Sequence, residues 1–269
     1  MTPTVSLPMY NLPEMRADNA RFWEALRELL VEAGLRDLPE RLTFDRLPVP
    51  ERIGPEALFS QTCGYPLETI FSGQAIRLGT PCYAVPGCDG PTHCGLFIVP
   101  AGSAARELRD LRGGVFLFNN RHSNSGMNLP RRALADIADG RPFFAKVIET
   151  GSHPGNLDRI ARSEADATAV DNVTYAFWRH FRPEAARQVR VLARIPTSPA
   201  IPFVTSVATA RATIAILRDA LTRLGREPHT ATARAGLSIT DIVDVPAAAY
   251  RRLLEYEREA AELGYPELA

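Results

Sequence analysis

The fold is indicated most clearly by residues 115–128, VFLFNNRHSNSGMN. The apolar run Val115 to Phe118 predicts a buried strand, because a short apolar run bounded by turn residues is typical of sheet interiors. The polar loop that follows reaches Ser123, Asn124 and Ser125, which are residue types that begin helices. A strand that leads through a polar loop into a helix is the repeating unit of an α/β protein.

The same alternation continues outward in both directions. Strands are predicted at Val5–Met9, Leu42–Leu47, Leu96–Val99, Phe143–Glu149, Ala167–Val170 and Val189–Ala193. A first helix is expected to be capped by Asp18, to carry an apolar stripe from Phe22 to Leu30 and to end at Gly34. A second stripe runs from Ile214 to Leu224 before Gly225, and Pro246 opens a last helix that ends at Gly264. This order predicts an α/β fold with mostly parallel sheets flanked by helices.

Composition narrows the functional classes. The chain has 269 residues, is 45% hydrophobic and carries 31 basic and 31 acidic residues, so it can bury a substantial core and has no net charge. A neutral chain has no global field for nucleic acid, and we expect no such partner. No apolar run of about 18 residues appears, which argues against a transmembrane helix. The N-terminus lacks the pattern of a secretory signal, so we expect a periplasmic protein if a signal was removed and a cytoplasmic one otherwise.

Neither metal nor enzyme motifs stand out. Cys82, Cys88 and Cys94 lie near His93, but their spacing matches no zinc pattern, so no metal and no other cofactor is expected. The chain shows no nucleophile elbow, phosphate loop or dinucleotide fingerprint. An enzyme would require Cys63 as nucleophile with His122 or His153 as base, and a buried thiol is the favoured interpretation. We therefore expect no catalytic residues.

Polar segments that follow the predicted strands are the candidate binding sites, because open α/β sheets bind ligands at the carboxyl ends of their strands. In chain order these segments contain the candidate ligand-binding residues Tyr10, Gln61, Tyr65, Ser123, Asn124, Ser125, Ser152, His153 and Asp171.

Each of the helix-starting segments has a simpler alternative as a helix cap. The hydroxyl and amide groups of Ser123, Asn124 and Ser125 exceed what one cap needs, which favours an oxyanion site at a helix N-terminus. Ser152 caps the next helix in either case, and His153 is equally well explained as an anion donor or as a surface residue. Asp171 is better explained as a cap, unless the ligand carries a proton or an amine from which the carboxylate can accept a hydrogen bond.

At these residues the sequence resembles the phosphonate/phosphite/phosphate-type substrate-binding proteins of ABC transporters, a type II periplasmic-binding-protein family. The matches run from the first strand to about Pro202, and the segments that carry them are Gln61–Pro66, Tyr83–Cys88, Ser123–Asn128, Thr150–His153 and Ala165–Asp171. Thr92–Gly95 and Pro130 depart from the family's pattern.

The resemblance implies two α/β lobes joined by two hinge crossings, with a small anionic ligand held between them. It implies that Ser123 to Ser125 form an anion cradle, that His153 and Asp171 are further contacts, and that Tyr10 and Tyr65 are wall residues. We place lobe 1 at residues 1–78 plus 188–269 and lobe 2 at residues 79–187.

The expected function is capture of a phosphonate, phosphite or phosphate-like oxyanion for ABC-type uptake or for sensing. We expect a monomer that can have an ABC transporter membrane component as partner. The alternatives are a cytoplasmic enzyme and a protein that binds a heterocycle resembling a thiamine precursor.

Overall fold

A computed structural model describes residues 2–269 and divides the chain into two compact units. Unit 1 contains the residues up to Thr92 together with Pro199–Ala247. Unit 2 contains His93–Ser198 together with Ala248–Ala269. No described helix is long and apolar enough to cross a membrane.

Strands and helices alternate along much of the described chain, as the sequence predicts, although β3 is followed directly by β4 and β8 by β9. In chain order the elements are β1 (Thr4–Val5), α1 (Arg16–Glu32), β2 (Ala57–Gln61), α2 (Gly64–Glu68), β3 (Ala75–Tyr83), β4 (Thr92–Pro100), β5 (Val115–Phe118), α3 (Leu129–Ala138), β6 (Lys146–Glu149), α4 (His153–Ala161), β7 (Ala167–Asp171), α5 (Asn172–Phe181), α6 (Pro183–Ala186), β8 (Val189–Pro199), β9 (Phe203–Ser206), α7 (Arg211–Arg226), α8 (Ala231–Ala235), β10 (Ile239–Val243) and α9 (Ala247–Glu262).

The sheet of unit 1 has the order β1-β2-β9-β3-β10. Only its first pair is parallel, because β9 runs antiparallel to both β2 and β3, and β10 runs antiparallel to β3. The predicted stripe of α1 packs on this sheet. Phe22 stacks on Phe203 with 5.5 Å between ring centroids, and Trp23 stacks on Phe59 at 5.9 Å.

The sheet of unit 2 has the order β6-β5-β7-β4-β8. Strands β6, β5 and β7 are parallel, whereas β4 runs antiparallel to β7. One face carries a buried cluster that includes Phe97, Phe116 and Leu129, and the other carries a cluster that includes Leu96, Leu117 and Trp178. The α/β fold is confirmed. Both sheets are mixed, and the sheet of unit 1 is mostly antiparallel rather than mostly parallel as predicted.

Several local predictions are wrong. Residues 42–47 form no strand: Leu47 is exposed, and the prolines at 48 and 50 cannot donate to a sheet. Asp18 does not cap α1, because a 3-10 turn at Pro13–Met15 starts the helix earlier and Asp18 pairs with Arg21. Strands β2, β3, β9 and β10 were not predicted.

The compact units also differ from the predicted lobes. The divisions fall after Thr92 and Ser198 rather than at 78/79 and 187/188, and residues 248–269 join unit 2. Hydrogen bonds explain the second difference. Asn128 donates to the Leu253 carbonyl at 2.9 Å, and the Ala269 carbonyl accepts from the backbone N–H of Phe143 at 2.6 Å.

Candidate functional site

One edge of the unit 2 sheet collects most of the predicted site residues. The parallel strands β5, β6 and β7 end at Phe118, Glu149 and Asp171, and a helical segment follows each of them. Because adjacent parallel strands end at the same edge, the starts of α3, α4 and α5 all lie there, and we call it the helix-start edge. Each helix start presents N–H groups that have no partner within the helix, together with the positive end of its dipole.

A π-helical turn at Asn124–Asn128 leads into α3. The Ser123 hydroxyl caps the turn by accepting from the Gly126 N–H at 3.0 Å. Pro130 lies in the first turn of the α-helix that follows, where its missing N–H has no cost. π turns of this kind are frequent at functional sites.

Asn124 and Ser125 have different surroundings, although both are buried. The Asn124 amide donates to the Ser198 hydroxyl at 3.0 Å and accepts from Asn128 at 3.2 Å, so it braces the turn. The Ser125 hydroxyl instead lies 3.2 Å from Nε2 of His153. Ser125 thus connects the start of α3 with the start of α4.

Ser152 and His153 begin α4. The Ser152 hydroxyl accepts from the Gly155 N–H at 3.1 Å, which confirms its predicted role as a cap. The imidazole of His153 lies 3.4 Å from the Ser123 hydroxyl as well as close to that of Ser125, so it is not a surface residue without contacts.

Asp171 ends β7 and caps α5. Its carboxylate accepts from the backbone N–H of Thr174 at 2.8 Å and from the Thr174 hydroxyl at 2.7 Å. Asp171 also acts electrostatically on His153. Burial lowers the pKa of His153 to about 4, against the opposing effects of the Asp171 carboxylate and the Ala169 carbonyl. His153 is therefore neutral at neutral pH in the ligand-free protein.

His93 lies at the same edge and was not among the predicted site residues. Gly95 pairs with Asp171 across the antiparallel strands β4 and β7, so the edge where β7 ends is the edge where β4 begins. His93 thus reaches this edge from the start of an antiparallel strand, whereas the sequence indicates a ligand site only at the carboxyl ends of parallel strands. Burial lowers the pKa of His93 while Asp171 opposes the shift, and its Nδ1 is buried without a hydrogen-bond partner in the structure.

The remaining predicted residues belong to unit 1. Tyr10 and Tyr65 are buried, and the Tyr10 ring meets Tyr83 edge-on with 5.6 Å between centroids. The Gln61 amide donates to the Ile201 carbonyl at 3.2 Å and to the Tyr83 hydroxyl at 3.3 Å. These contacts hold Gln61 and Tyr10 around Tyr83, which the sequence did not single out as a site residue.

Metal ligation finds no support in residues 2–269, where no group of three or more His, Cys, Asp or Glu side chains is placed to hold an ion. The four cysteines are present as thiols. Burial raises the pKa of the Cys82 thiol, and Asp241 adds to that shift. A raised pKa leaves this thiol protonated and unreactive.

Solved structures share the fold of this chain. A binding-protein component of an ABC phosphonate transporter from Pseudomonas aeruginosa superposes with a TM-score of 0.70 at 16% identity, covering 98% of this chain and 97% of its own. PhnD1 from Prochlorococcus marinus, solved with methylphosphonate, gives 0.70 at 12% identity and coverages of 97% and 98%. XAC2383 from Xanthomonas citri, solved with ATP, gives 0.68 at 19% identity and covers 98% of each chain.

Sequence comparison supplies the family. No curated protein matches the chain closely enough to count as a relative. Residues 83–250 match the family described as "ABC transporter, phosphonate, periplasmic substrate-binding protein", and this stretch is more than half of the chain. It includes every predicted site residue of unit 2. The chain therefore belongs to the phosphonate-binding family of periplasmic substrate-binding proteins of ABC transporters.

Proposed function

We propose that this chain captures a small oxyanion of the phosphonate, phosphite or phosphate type at the helix-start edge of the unit 2 sheet. The observation that carries the proposal is the contact between His153 and the hydroxyls of Ser123 and Ser125, which joins the starts of two helices around one group of donors. Family membership supports the same ligand class. It favours solute binding over the enzyme and heterocycle-binding alternatives.

The proposed chemistry uses hydrogen-bond donors and helix dipoles. The segments after β5, β6 and β7 present hydroxyls, backbone N–H groups and imidazole nitrogen at one edge, and the positive ends of α3, α4 and α5 favour an anion there. Ser123, Asn124, Ser125, Ser152 and His153 are proposed to form the cradle. Hydrogen bonds to a charged ligand are each worth about 1.5–3 kcal/mol, so a few of them suffice for tight binding.

Asp171 is proposed to select among ligands. A carboxylate near a bound oxyanion repels full negative charge and accepts from a ligand that keeps a proton or carries an amine. In unit 1, Tyr10, Gln61 and Tyr65 are proposed as further ligand-binding residues. Their support is the resemblance of the Gln61–Pro66 segment to the family and the packing of Tyr10 and Gln61 around Tyr83.

The biological setting follows from the family. We propose that the chain acts as a monomer in the periplasm, has no catalytic activity and delivers its ligand to an ABC transporter membrane component or reports it to a sensor. The family's description supports transport and the periplasmic location.

A thermal-shift screen of the full chain tests the proposal. The probes are methylphosphonate, phosphite, phosphate, sulfate and ATP, with ATP included because the Xanthomonas protein was solved with it. A ligand at about a hundred times its dissociation constant adds roughly 2.7 kcal/mol to the free energy of unfolding, which raises the melting temperature measurably. We expect a rise with at least one phosphorus oxyanion. No rise with any probe would refute the proposed ligand class.

A further inference from the structure

His93 differs from the other residues at the helix-start edge because it belongs to a strand that begins there. It lies two positions before Gly95 in β4, and Gly95 pairs with Asp171. Residues two apart on a strand point to the same face, so His93 and Asp171 share the face of the sheet that α3 covers. Ile195 fills the space beside Gly95, where an added Cβ would lie 2.9 Å from its Cδ1.

The His93 ring is buried, with 3% of its surface exposed, and Nδ1 has no hydrogen-bond partner in the structure. A buried polar nitrogen without a partner is costly, and a hydrogen bond to a bound ligand would remove that cost. The electrostatic effect of His93 on His153, and of Asp171 on both rings, places the three groups at one locus.

The side chains around the two rings do not balance the negative charge of a doubly charged ligand. Asp171, from the end of β7, acts on both rings, and His93 also acts on His153. On β8, Arg194 is exposed and acts on Cys94. The buried cation of α3, Arg131, donates to the Pro266 carbonyl at 2.8 Å and to the Asn128 amide oxygen at 2.8 Å.

We propose that His93 is a second ligand-binding histidine, and that binding of an oxyanion dianion at this edge is coupled to proton uptake from solvent by His93 and His153. This inference rests on the proposed function and adds its pH dependence. In the ligand-free protein both rings are neutral, because burial lowers the pKa of each. A dianion placed between them favours the imidazolium forms, and each proton taken up offsets part of the repulsion from Asp171. Affinity for a dianion then rises as the pH falls towards the range in which the rings of the complex titrate.

Long-range ¹⁵N–¹H NMR of the imidazoles tests the inference with the full chain and methylphosphonate, or phosphite if the screen shows tighter binding. The chain has five histidines, and His93→Gln and His153→Gln assign their signals. We expect both rings to be neutral without ligand at pH 7 and cationic at saturation. Calorimetry in buffers of different ionisation enthalpy measures the net proton uptake, from which the protons that the ligand itself releases on binding as the dianion are subtracted. The corrected uptake should be smaller for His93→Gln than for the wild type.

His180→Gln is the matched control, because His180 is exposed at the end of α5 and contacts Phe181. It should leave proton uptake and affinity unchanged. His93→Gln should weaken binding by about tenfold at pH 6 and by less at pH 8. If the wild type binds while the His93 ring stays neutral and His93→Gln takes up as many protons, the inference is overturned and the proposed function stands. If the wild type binds none of the oxyanions, both are refuted.

Discussion

At the residue scale, two neighbouring hydroxyls have different structural roles. Ser123 caps the π turn through the Gly126 N–H, whereas the Ser125 hydroxyl faces His153. Ser123→Ala should therefore lower the free energy of unfolding by about 1 kcal/mol, the usual cost of a lost cap, and Ser125→Ala should lower it less. Urea denaturation of both variants measures this difference. Equal losses would show that Ser123 is not the group that stabilises the turn.

His153 should make stability depend on pH in the ligand-free protein. Its pKa falls to about 4 on folding, so below its unfolded value the unfolded chain binds a proton that the folded chain does not. Stability therefore decreases as the pH falls from about 6.5 to 4, by at most on the order of 3 kcal/mol. Urea titrations at several pH values should show a weaker dependence for His153→Gln than for the wild type. Identical pH profiles would contradict the neutral state of the His153 ring.

Asp171 allows its structural and ligand-selecting roles to be separated. In Asp171→Asn the amide oxygen can still accept from the Thr174 N–H, so the cap and the stability should be largely kept. Removing the negative charge should improve affinity for methylphosphonate and weaken affinity for aminomethylphosphonate, whose amine loses its acceptor. Calorimetry with the two ligands measures the change in their affinity ratio. An unchanged ratio would leave Asp171 with its capping role alone.

At the element scale, the π turn depends on Gly126. A Cβ at this position would lie 3.0 Å from Cε1 of His153 and would collide with the amide oxygen of Asn119. Gly126→Ala should therefore displace the His153 ring and lower both stability and ligand affinity. Gly102→Ala is the control, because nothing lies within 4 Å of its added Cβ. Thermal melting with and without methylphosphonate compares the two variants, and equal behaviour would refute the close packing of this turn.

The sequence predicted the elements that carry strong local patterns. The apolar run of β5 was predicted with its observed ends, and the stripe of α1 packs as expected. Strand direction was harder to predict, because it depends on long-range pairing and not on local residue pattern. The antiparallel course of β4 brought His93 to the site, and no pattern within Thr92–Gly95 indicates that course.

At the scale of the whole molecule, the fold class and the family were predictable and the boundaries were not. The segments that carry the resemblance lie where the site was expected, at strand ends followed by helix starts. The C-terminal helix was placed in lobe 1 with the rest of residues 188–269, but residues 248–269 belong to unit 2. Its place in unit 2 depends on contacts such as Arg132 with Glu259 at 2.7 Å, which join residues more than 100 positions apart.

The central claim is that the helix-start edge of unit 2 binds the anion, and calorimetry on Ser125→Ala tests it most directly. The Ser125→Ala substitution keeps the cap of the turn, which Ser123 forms, so it separates an effect on binding from an effect on folding. We predict that methylphosphonate, or the oxyanion that stabilises the wild type most, binds Ser125→Ala at least about tenfold more weakly, because one charge-assisted hydrogen bond is worth about 1.5–3 kcal/mol. The melting temperature of the ligand-free variant should stay close to that of the wild type. An unchanged dissociation constant would contradict the account and place the anion elsewhere.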